Sequence, residues 1–569
     1  MINFLKNKLT VFFFLSFYFA QSQNFTVKGL VEDSYGVPVA GANIIEKENP
    51  LNGSVTDFDG VFTIMVSENS NLEISYVGYE TKEIYVDGRN ELKIIIVEDL
   101  KSLDEVTIVA YGKQKKSSVV AAVSTIDPTE LKLPTSNLTT SFAGRIAGVI
   151  AYQRSGEPGR DNAEFFIRGV STFGYARSPL ILIDGIETTS TDLARLQPDD
   201  IASFSIMKDA TATSLFGARG ANGVILVTTK EGKEGVVKIN VRYEKSYSAA
   251  TKSLSIADPI TYMRLHNEAQ TTRNPLSGRI YSLEKILISQ DPNRNKMAYP
   301  TVNWFDELLE EYTLNSRFNF SLSGGGKIAR YYLASTVNTD NGNLKVDPRN
   351  NFNNNINFKR VSLRSNINVN LTKSTTVALK FNGNFDDYNG PLDGGAEVYQ
   401  KAMKANPVLY PKFYEPDLQF QNSNHILFGN AGQFGDFLNP YADLMRGYKD
   451  ESYNNFLATV EIKQDLGFIA EGLKFRILGN TARYSFYNLE RKYEPFYYSL
   501  GNYDFQSDLY TLIALNPNQG TEYLDYSEGN KIITNSTYFE GALNYNKSFK
   551  QNHEITAMLI GIMLSLIHI

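Results

Sequence analysis

From about residue 235 to residue 563 the chain alternates apolar and polar side chains, segment after segment, and this restricts the fold more than any other feature. In "VSLRSNINVNL", Val361, Leu363, Ile367, Val369 and Leu371 share one face, while Ser362, Arg364, Asn366, Asn368 and Asn370 share the other. In "TVALKFNGNF", Val377, Leu379, Phe381 and Phe385 oppose Lys380, Asn382 and Asn384. A soluble sandwich alternates too, so loop length must discriminate. Short turns occur at "GGGK" near 324, "TKST" near 372, "GFIAEG" near 467 and "KSFKQN" near 547. Long excursions fill about 249–312, 388–453 and 489–533. Short turns at one end and long loops at the other mark an outer-membrane β-barrel. A face rich in Asn, Ser and Arg suits a plugged or water-filled lumen.

About nine strands are expected, at 236–248, 313–323, 328–338, 353–371, 375–388, 453–466, 472–488, 535–549 and 552–562. Tyr388, Tyr453 and Phe486, near strand ends, suit interfacial aromatic girdles. Closed bacterial barrels have even strand numbers, so nine leaves strands 236–248 and 552–562 as unpaired edges, which lipid does not tolerate. The chain is therefore expected to be incomplete. "HEITAMLIG", His553 to Gly561, reads as a strand with more to follow, whereas "IMLSLIHI" at 562–569 breaks the alternation and is expected to be an artefactual tail. A membrane helix over Ile555–Ile569 is the alternative, but fifteen residues fall short of the roughly 20 a span needs.

The amino terminus carries Lys6 and Lys8, then "VFFFLSFYFA", then Ala20 and Ser22, the order of a secretory signal over residues 1–22. Net charge is -6, which gives no reason to expect nucleic acid. With Cys 0, disulfides, thiol catalysis and thiolate metal sites are excluded. The four histidines, His266, His425, His553 and His568, form no metal or hydrolase pattern, so neither an enzyme nor a cofactor is expected.

Residues 23–100 read as a small β-sandwich of short strands with regular turns. Asp57 and Asp59 before Gly60 lack the further ligands of a calcium loop, and D-G reads as a hairpin turn. Residues 101–118 follow as a linker. Its "EVTIVAYG" is strand-prone: it suits addition to another protein's sheet edge, or serves as the last strand of the sandwich. In "SLFGARGANGVILVTTKEG", Gly217, Gly220 and Gly223 follow a short helix candidate, "ATATSLF", and precede a strand. A phosphate loop has the reverse order, strand before helix, so these glycines read as a tight helix-to-strand connection.

"LDEVTIVAYG", "FFIRGVSTFG", "PLILIDGI" and "IASFSIMKDATATSLFGARGANGVILVTTKEG" together resemble the plug region of SusC/RagA-type TonB-linked outer-membrane transporters of the Bacteroidetes. Residues 25–99 are similar to the carboxypeptidase regulatory-like domain that precedes many such plugs. The resemblance implies a mainly β chain: an N-terminal sandwich, an α+β plug at 119–232 and part of a transmembrane antiparallel barrel at 235–563. It implies a TonB box at Asp104, Glu105, Val106, Thr107, Ile108, Val109, Ala110 and Tyr111. Thr107 and Ile108 stand where the family often has valines; both are β-branched. It implies a plug signature of Arg168, Gly169, Asp184, Gly185, Lys208, Asp209, Gly217, Arg219, Gly220, Asn222 and Gly223. The implied activity is TonB-dependent import of an oligosaccharide or peptide across the outer membrane. The implied partners are TonB with ExbB and ExbD, a SusD-like surface lipoprotein and outer-membrane lipid. A surface sensor or adhesin is the alternative.

Overall fold

The computed structural model describes residues 24–97, 106–109, 112–115 and 123–568, apart from short stretches at 35, 48, 68, 77–78, 171–176, 210–212, 433–437 and 550–552. The expected signal at 1–22 lies outside them, as do Asp104, Glu105, Ala110 and Tyr111. The chain divides into two compact units, 1–121 and 122–569.

In the first unit, strands β1 (Asn24–Glu32), β2 (Asn43–Glu46), β3 (Asn49–Val55), β4 (Val61–Ser67), β5 (Asn71–Ser75), β6 (Lys82–Tyr85) and β7 (Glu91–Ile95) form two sheets, ordered β4-β1-β7 and β3-β2-β5-β6. Alternating Val27, Val31, Ile44, Phe62, Ile64, Leu72, Ile74 and Ile94 supply the buried core. The Asp59–Gly60 turn differs from the expected hairpin, because β3 and β4 belong to different sheets. The chain arches between layers there. Asp57 Oδ1 accepts the backbone N–H groups of Asp59 and Val61 at 3.0 and 2.8 Å, and Gly60 takes φ 72°. Strand β8 (Val106–Val109) pairs antiparallel with β9 (Gly112–Lys115) as a two-stranded ribbon and joins neither sandwich sheet.

The second unit begins with β10 (Val123–Ile126), β11 (Val149–Gln153), β12 (Ala163–Ile167), β13 (Leu180–Ile183), β14 (Ile186–Thr188), β15 (Ile201–Met207) and β16 (Val224–Thr229). Five of these form a mixed sheet ordered β10-β15-β16-β13-β14, and β11 pairs with β12. The central strands are buried on both faces, which explains their continuous apolar sequences "LILI" and "VILVTT". Phe142 meets Phe165 and Phe204 edge to face at 5.3 and 5.5 Å in the core beneath.

The wall follows: β17 (Gly235–Ala249), β18 (Tyr312–Gly325), β19 (Ala329–Asn341), β20 (Asn357–Asn370), β21 (Thr375–Gly390), then two short excursion strands, β22 (Phe413–Tyr414) and β23 (Leu427–Gly429), then β24 (Gly447–Asp465) and β25 (Leu473–Lys492). Two more excursion strands, β26 (Tyr497–Asp504) and β27 (Leu509–Ala514), precede β28 (Asp525–Phe549) and β29 (His553–His568). The nine wall strands pair antiparallel in sequence order, with β17 and β29 at the open edges. Their two faces obey the alternation: Asn455, Asn480 and Ala542 are buried, whereas Phe381, Phe456 and Phe539 stand exposed on the other side.

Three expectations are corrected here. Tyr388, Tyr453 and Phe486 are not girdle residues. Tyr388 shares side-chain parity with Lys380 and Asp386 on the inner face, and the register Asp386↔Tyr453 and Tyr453↔Phe486 puts the other two there as well. Strand β29 does not stop at residue 562 but continues in register to His568, opposite Thr534. Backbone pairing is indifferent to side-chain alternation, so Ile562, Leu564 and Leu566 simply take inner-face positions opposite Glu540, Tyr538 and Ser536. Finally, the helix candidate "ATATSLF" is only partly described, and Ser214–Gly220 forms 3-10 turns broken at Gly217, φ 58° and ψ -144°. The first two glycines therefore lie inside the turns rather than after a helix.

The long excursions are folded rather than loose. They carry helices Pro259–Arg273, Leu283–Gln290, Trp304–Leu308, Gly395–Lys404 and Pro440–Met445. Strands from two excursions join as a sheet ordered β22-β23-β26-β27. Trp304, Tyr410, Phe428, Tyr441 and Tyr497 share one buried cluster beneath them.

Candidate functional site

The site is the seam where residues 123–232 meet the polar inner face of the wall. Sequence places one half of each contact: inner-face positions fall at every second residue of β19, β20, β21, β24 and β25. The other half comes from turns of the small domain.

Thr189 begins a short helix (Ser190–Ala194) with a reciprocal cap: its hydroxyl accepts from Asp192 N–H at 3.1 Å, and Asp192 accepts its N–H at 3.0 Å. The helix ends at Arg195, whose guanidinium reaches Asp386 of β21 at 2.6 Å and sits 4.1 Å from the centre of the Tyr453 ring. Arg360 of β20 approaches the same carboxylate at 3.2 Å and donates to the Ser136 carbonyl at 3.0 Å. The side chains of Arg195, Arg360 and Asp386 are 8%, 4% and 3% exposed, so this is a fully enclosed ion triad. Asp192 also accepts from Asn455 of β24 and, at 3.4 Å, from the Tyr484 hydroxyl of β25.

A second cluster lies around Asp200. The Tyr332 hydroxyl donates to it at 2.7 Å and Arg364 approaches at 3.7 Å. Burial pushes the Asp200 carboxyl above the ordinary carboxylate range, and the Arg364 charge and the Tyr332 hydrogen bond oppose that shift. Asn366 of β20 donates to Thr229 and to the Lys230 carbonyl at 2.8 and 2.7 Å. Lys380 of β21 bridges Glu231 at 2.9 Å and Asp184 at 3.5 Å. Asp184, Asp192, Arg195, Arg364 and Lys380 help line a cavity of about 40 Å³, room for a few waters but not for a solute.

The expected plug signature separates into two groups at opposite ends of β16. Asp184 and Gly185 form the β13–β14 turn, where Asp184 sits at φ 52° and accepts the Thr229 N–H and hydroxyl at 2.9 and 2.6 Å. At the other end, Arg168 (φ 58°) donates its N–H to the Gly148 carbonyl at 2.8 Å, beside Gly169 at φ 97°. Lys208 donates to the Ala147 carbonyl; burial and the nearby Arg168 charge hold its ammonium below the ordinary lysine range. Asp209 accepts the Thr213 N–H through its carbonyl at 3.1 Å. Arg219 pairs with Glu187 at 2.7 Å, and the Asn222 amide reaches the Ser178 carbonyl at 3.5 Å. Gly220 and Gly223 are steric necessities: a Cβ would come within 2.9 Å of Thr213 O and 2.6 Å of Ile167 Cδ1. Most of the signature thus shapes the small domain, and Asp184 alone of these residues makes an ion pair with the wall among the described contacts. Of Val106, Thr107, Ile108 and Val109 only the backbone strand is described.

Sequence reasoning missed Arg195, Asp192, Asp200, Arg360 and Asp386 as a set. Arg360 and Asp386 were legible as inner-face positions, but their partners are not signalled by any motif.

Comparison with known proteins gives two family matches: CarboxypepD_reg-like domain over residues 27–108 and TonB-dependent Receptor Plug Domain over residues 115–224. The TonB-dependent receptor SusC of Bacteroides thetaiotaomicron is 30% identical over 457 residues, 78% of this chain and 42% of its own length. TonB-dependent receptor P3 of Formosa agariphila is 30% identical over 568 residues, 96% of this chain and 48% of that protein. The chain thus spans less than half the length of these curated relatives. Among solved structures, the RagAB peptide importer in its open-open state superposes with a TM-score of 0.60 at 18% identity, covering 81% of this chain and 50% of that one, a likeness of fold. With a regulatory-like sandwich ahead of a plug, a plug seated on a β-wall, and SusC among its relatives, the chain belongs to the SusC/RagA-type TonB-dependent receptors.

Proposed function

We propose that the chain works in TonB-dependent import across the outer membrane. The observation that carries this reading is the two-faced wall: apolar outside, and polar inside where the plug is held by enclosed ion pairs rather than by an apolar core. A plug held through polar contacts can be displaced and reseated, because each contact separated can be replaced by one with water. In this reading 1–22 is the export signal, 23–100 the sandwich, 101–118 the linker, 119–232 the plug and 235–563 an arc of the barrel. The open edges of β17 and β29 favour further strands completing the wall, since unpaired backbone groups have no partner in lipid.

TonB would grasp residues 104–111, energised through ExbB and ExbD, so the chain itself needs no nucleotide site and performs no bond chemistry. A SusD-like lipoprotein would cover the outer opening, and the cargo would be an oligosaccharide or a peptide. The test is uptake of labelled oligosaccharide and labelled peptide by cells whose receptor lacks Glu105–Tyr111, with surface abundance measured in parallel. Uptake of one cargo should fall to background at unchanged abundance; undiminished uptake of both would overturn the reading.

A further inference from the structure

We propose that Arg483, with the polar side chains beside it, holds the phosphate of an anionic lipid against the outer face of the wall; this rests on the outer-membrane reading above. Arg483 lies on β25 between Ala482, which is 3% exposed, and Tyr484, which bonds Asp192, so its own side chain points outward. It is exposed, and no hydrogen bond or ion pair engages it among the described residues. Register sets Asn535 of β28 directly opposite it and Phe456 of β24 on its other flank. The neighbouring outward positions are Asn454 opposite Ser485, and Thr481 opposite Thr537. Three adjacent strands therefore interrupt the apolar face together, around one cation.

The depth of this patch selects the ligand. The outer face below it is apolar, with Ile462, Val460, Ile477 and Phe539 exposed, and the Phe539 ring lies over Gly479, where an added Cβ would stand 3.3 Å from it. The outward face of β25 begins apolar at Leu473, ten residues before Arg483. At a rise of about 3.4 Å per residue and a tilt near 40°, ten residues climb roughly 26 Å. An apolar band is about 25 Å tall, so Arg483 stands at its outer border, at the level of the lipid phosphates. A guanidinium matches a phosphate with paired N–H donors, and the Asn535 and Asn454 amides add further donors. Acyl chains then lie downward over Phe456, Val460, Ile477 and Phe539. A free phosphate would use the same fork without that apolar track.

The test uses the receptor purified from outer membranes in neutral detergent, with bound lipid read by native mass spectrometry. Wild type, Arg483→Gln and Arg483→Lys are each offered phosphatidic acid, diacylglycerol with the same chains, or inorganic phosphate. Wild type should retain phosphatidic acid and not diacylglycerol, Arg483→Gln should retain about tenfold less, and Arg483→Lys an intermediate amount. Equal retention by Arg483→Gln, or equal retention of diacylglycerol, overturns the proposal. Binding of inorganic phosphate as tight as the lipid overturns the lipid source. If the receptor is absent from the outer-membrane fraction in heat-modifiable form, the reading of function fails and this inference falls with it; folded receptor with unchanged lipid sinks the inference alone.

Discussion

Replacing Asp386 with alanine should loosen the plug from the wall more than any other single change at the seam. Asp386 is the only carboxylate that Arg195 reaches among the described contacts, at 2.6 Å, and both groups are enclosed. Without it, Arg195 keeps only the Tyr453 ring at 4.1 Å, and its Nε and Nη1 already lack partners. Arg360 is better placed, since it retains the Ser136 carbonyl at 3.0 Å. Breaking an enclosed pair by deleting one partner costs about 3–5 kcal/mol. Arg360's remaining bond and the ring contact favour the lower end, about 3 kcal/mol, which is a rise of roughly 100-fold in the undocked population. Amide exchange across residues 190–195, the turn that carries Asp192 and Arg195 to the wall, followed by mass spectrometry on the detergent-purified receptor, reports that opening. The double substitution Arg195→Met with Asp386→Leu should recover part of the loss, because one of the two cations left enclosed is gone while Arg360 keeps the Ser136 carbonyl. Exchange that speeds up less than about fivefold in Asp386→Ala, the scale of a solvent-exposed pair, would refute the reasoning.

Other outcomes follow from single positions. Gly232→Ala would set a Cβ 2.2 Å from Tyr331 N and 2.5 Å from its carbonyl oxygen; backbone cannot step aside, so the plug's denaturation midpoint should drop by the equivalent of about 1–3 kcal/mol. Gly29→Ala would meet the Phe62 ring at 2.3 Å and should lower the melting of the sandwich by a similar amount while leaving plug exchange unchanged. Asp347 is opposed by burial, yet the Tyr441 hydroxyl, the Arg349 N–H at 2.9 Å and the Arg349 guanidinium at 3.1 Å together hold its carboxyl below the ordinary carboxylate range. A lowered carboxyl stabilises above its unfolded value, near 4, and that contribution is lost as pH falls through the folded value. Emission from Trp304, the single tryptophan, should therefore shift on acidification below about pH 4, and the onset should disappear in Asp347→Asn.

The wall was the most legible part of the sequence, because alternation is a local signal: each strand declares its two faces within ten residues. Its partners were not legible. Asp192 and Asn455 are 263 positions apart, and "TDLARLQPDD" carries no pattern that announces Arg195 as the plug's main anchor. Tyr388 was misplaced by aromatic composition although its parity with Lys380 already placed it inside, whereas Tyr453 is placed there by the register that sets it opposite Asp386. The excursions read as loops because most of their elements are short and the one long helix, Pro259–Arg273, carries no clear apolar stripe; Phe413–Tyr414 is a two-residue strand that exists only by pairing with Leu427–Gly429. The turn at Asp59–Gly60 looked like a hairpin because local chemistry fixes a turn but not which sheets its strands join.

The excursion sheet has a kinetic corollary. Loops that share no contacts fluctuate independently on nanosecond to microsecond scales. Here β23, from one excursion, pairs with β26, from the next, and Trp304 from a third lies in the same cluster as Tyr441 and Tyr497. Displacing any one of them must uncover apolar surface on the others, so the ensemble opens as a single cooperative body. Its opening belongs to the microsecond-to-second range of collective transitions, with a population set by one free-energy gap rather than by several small ones.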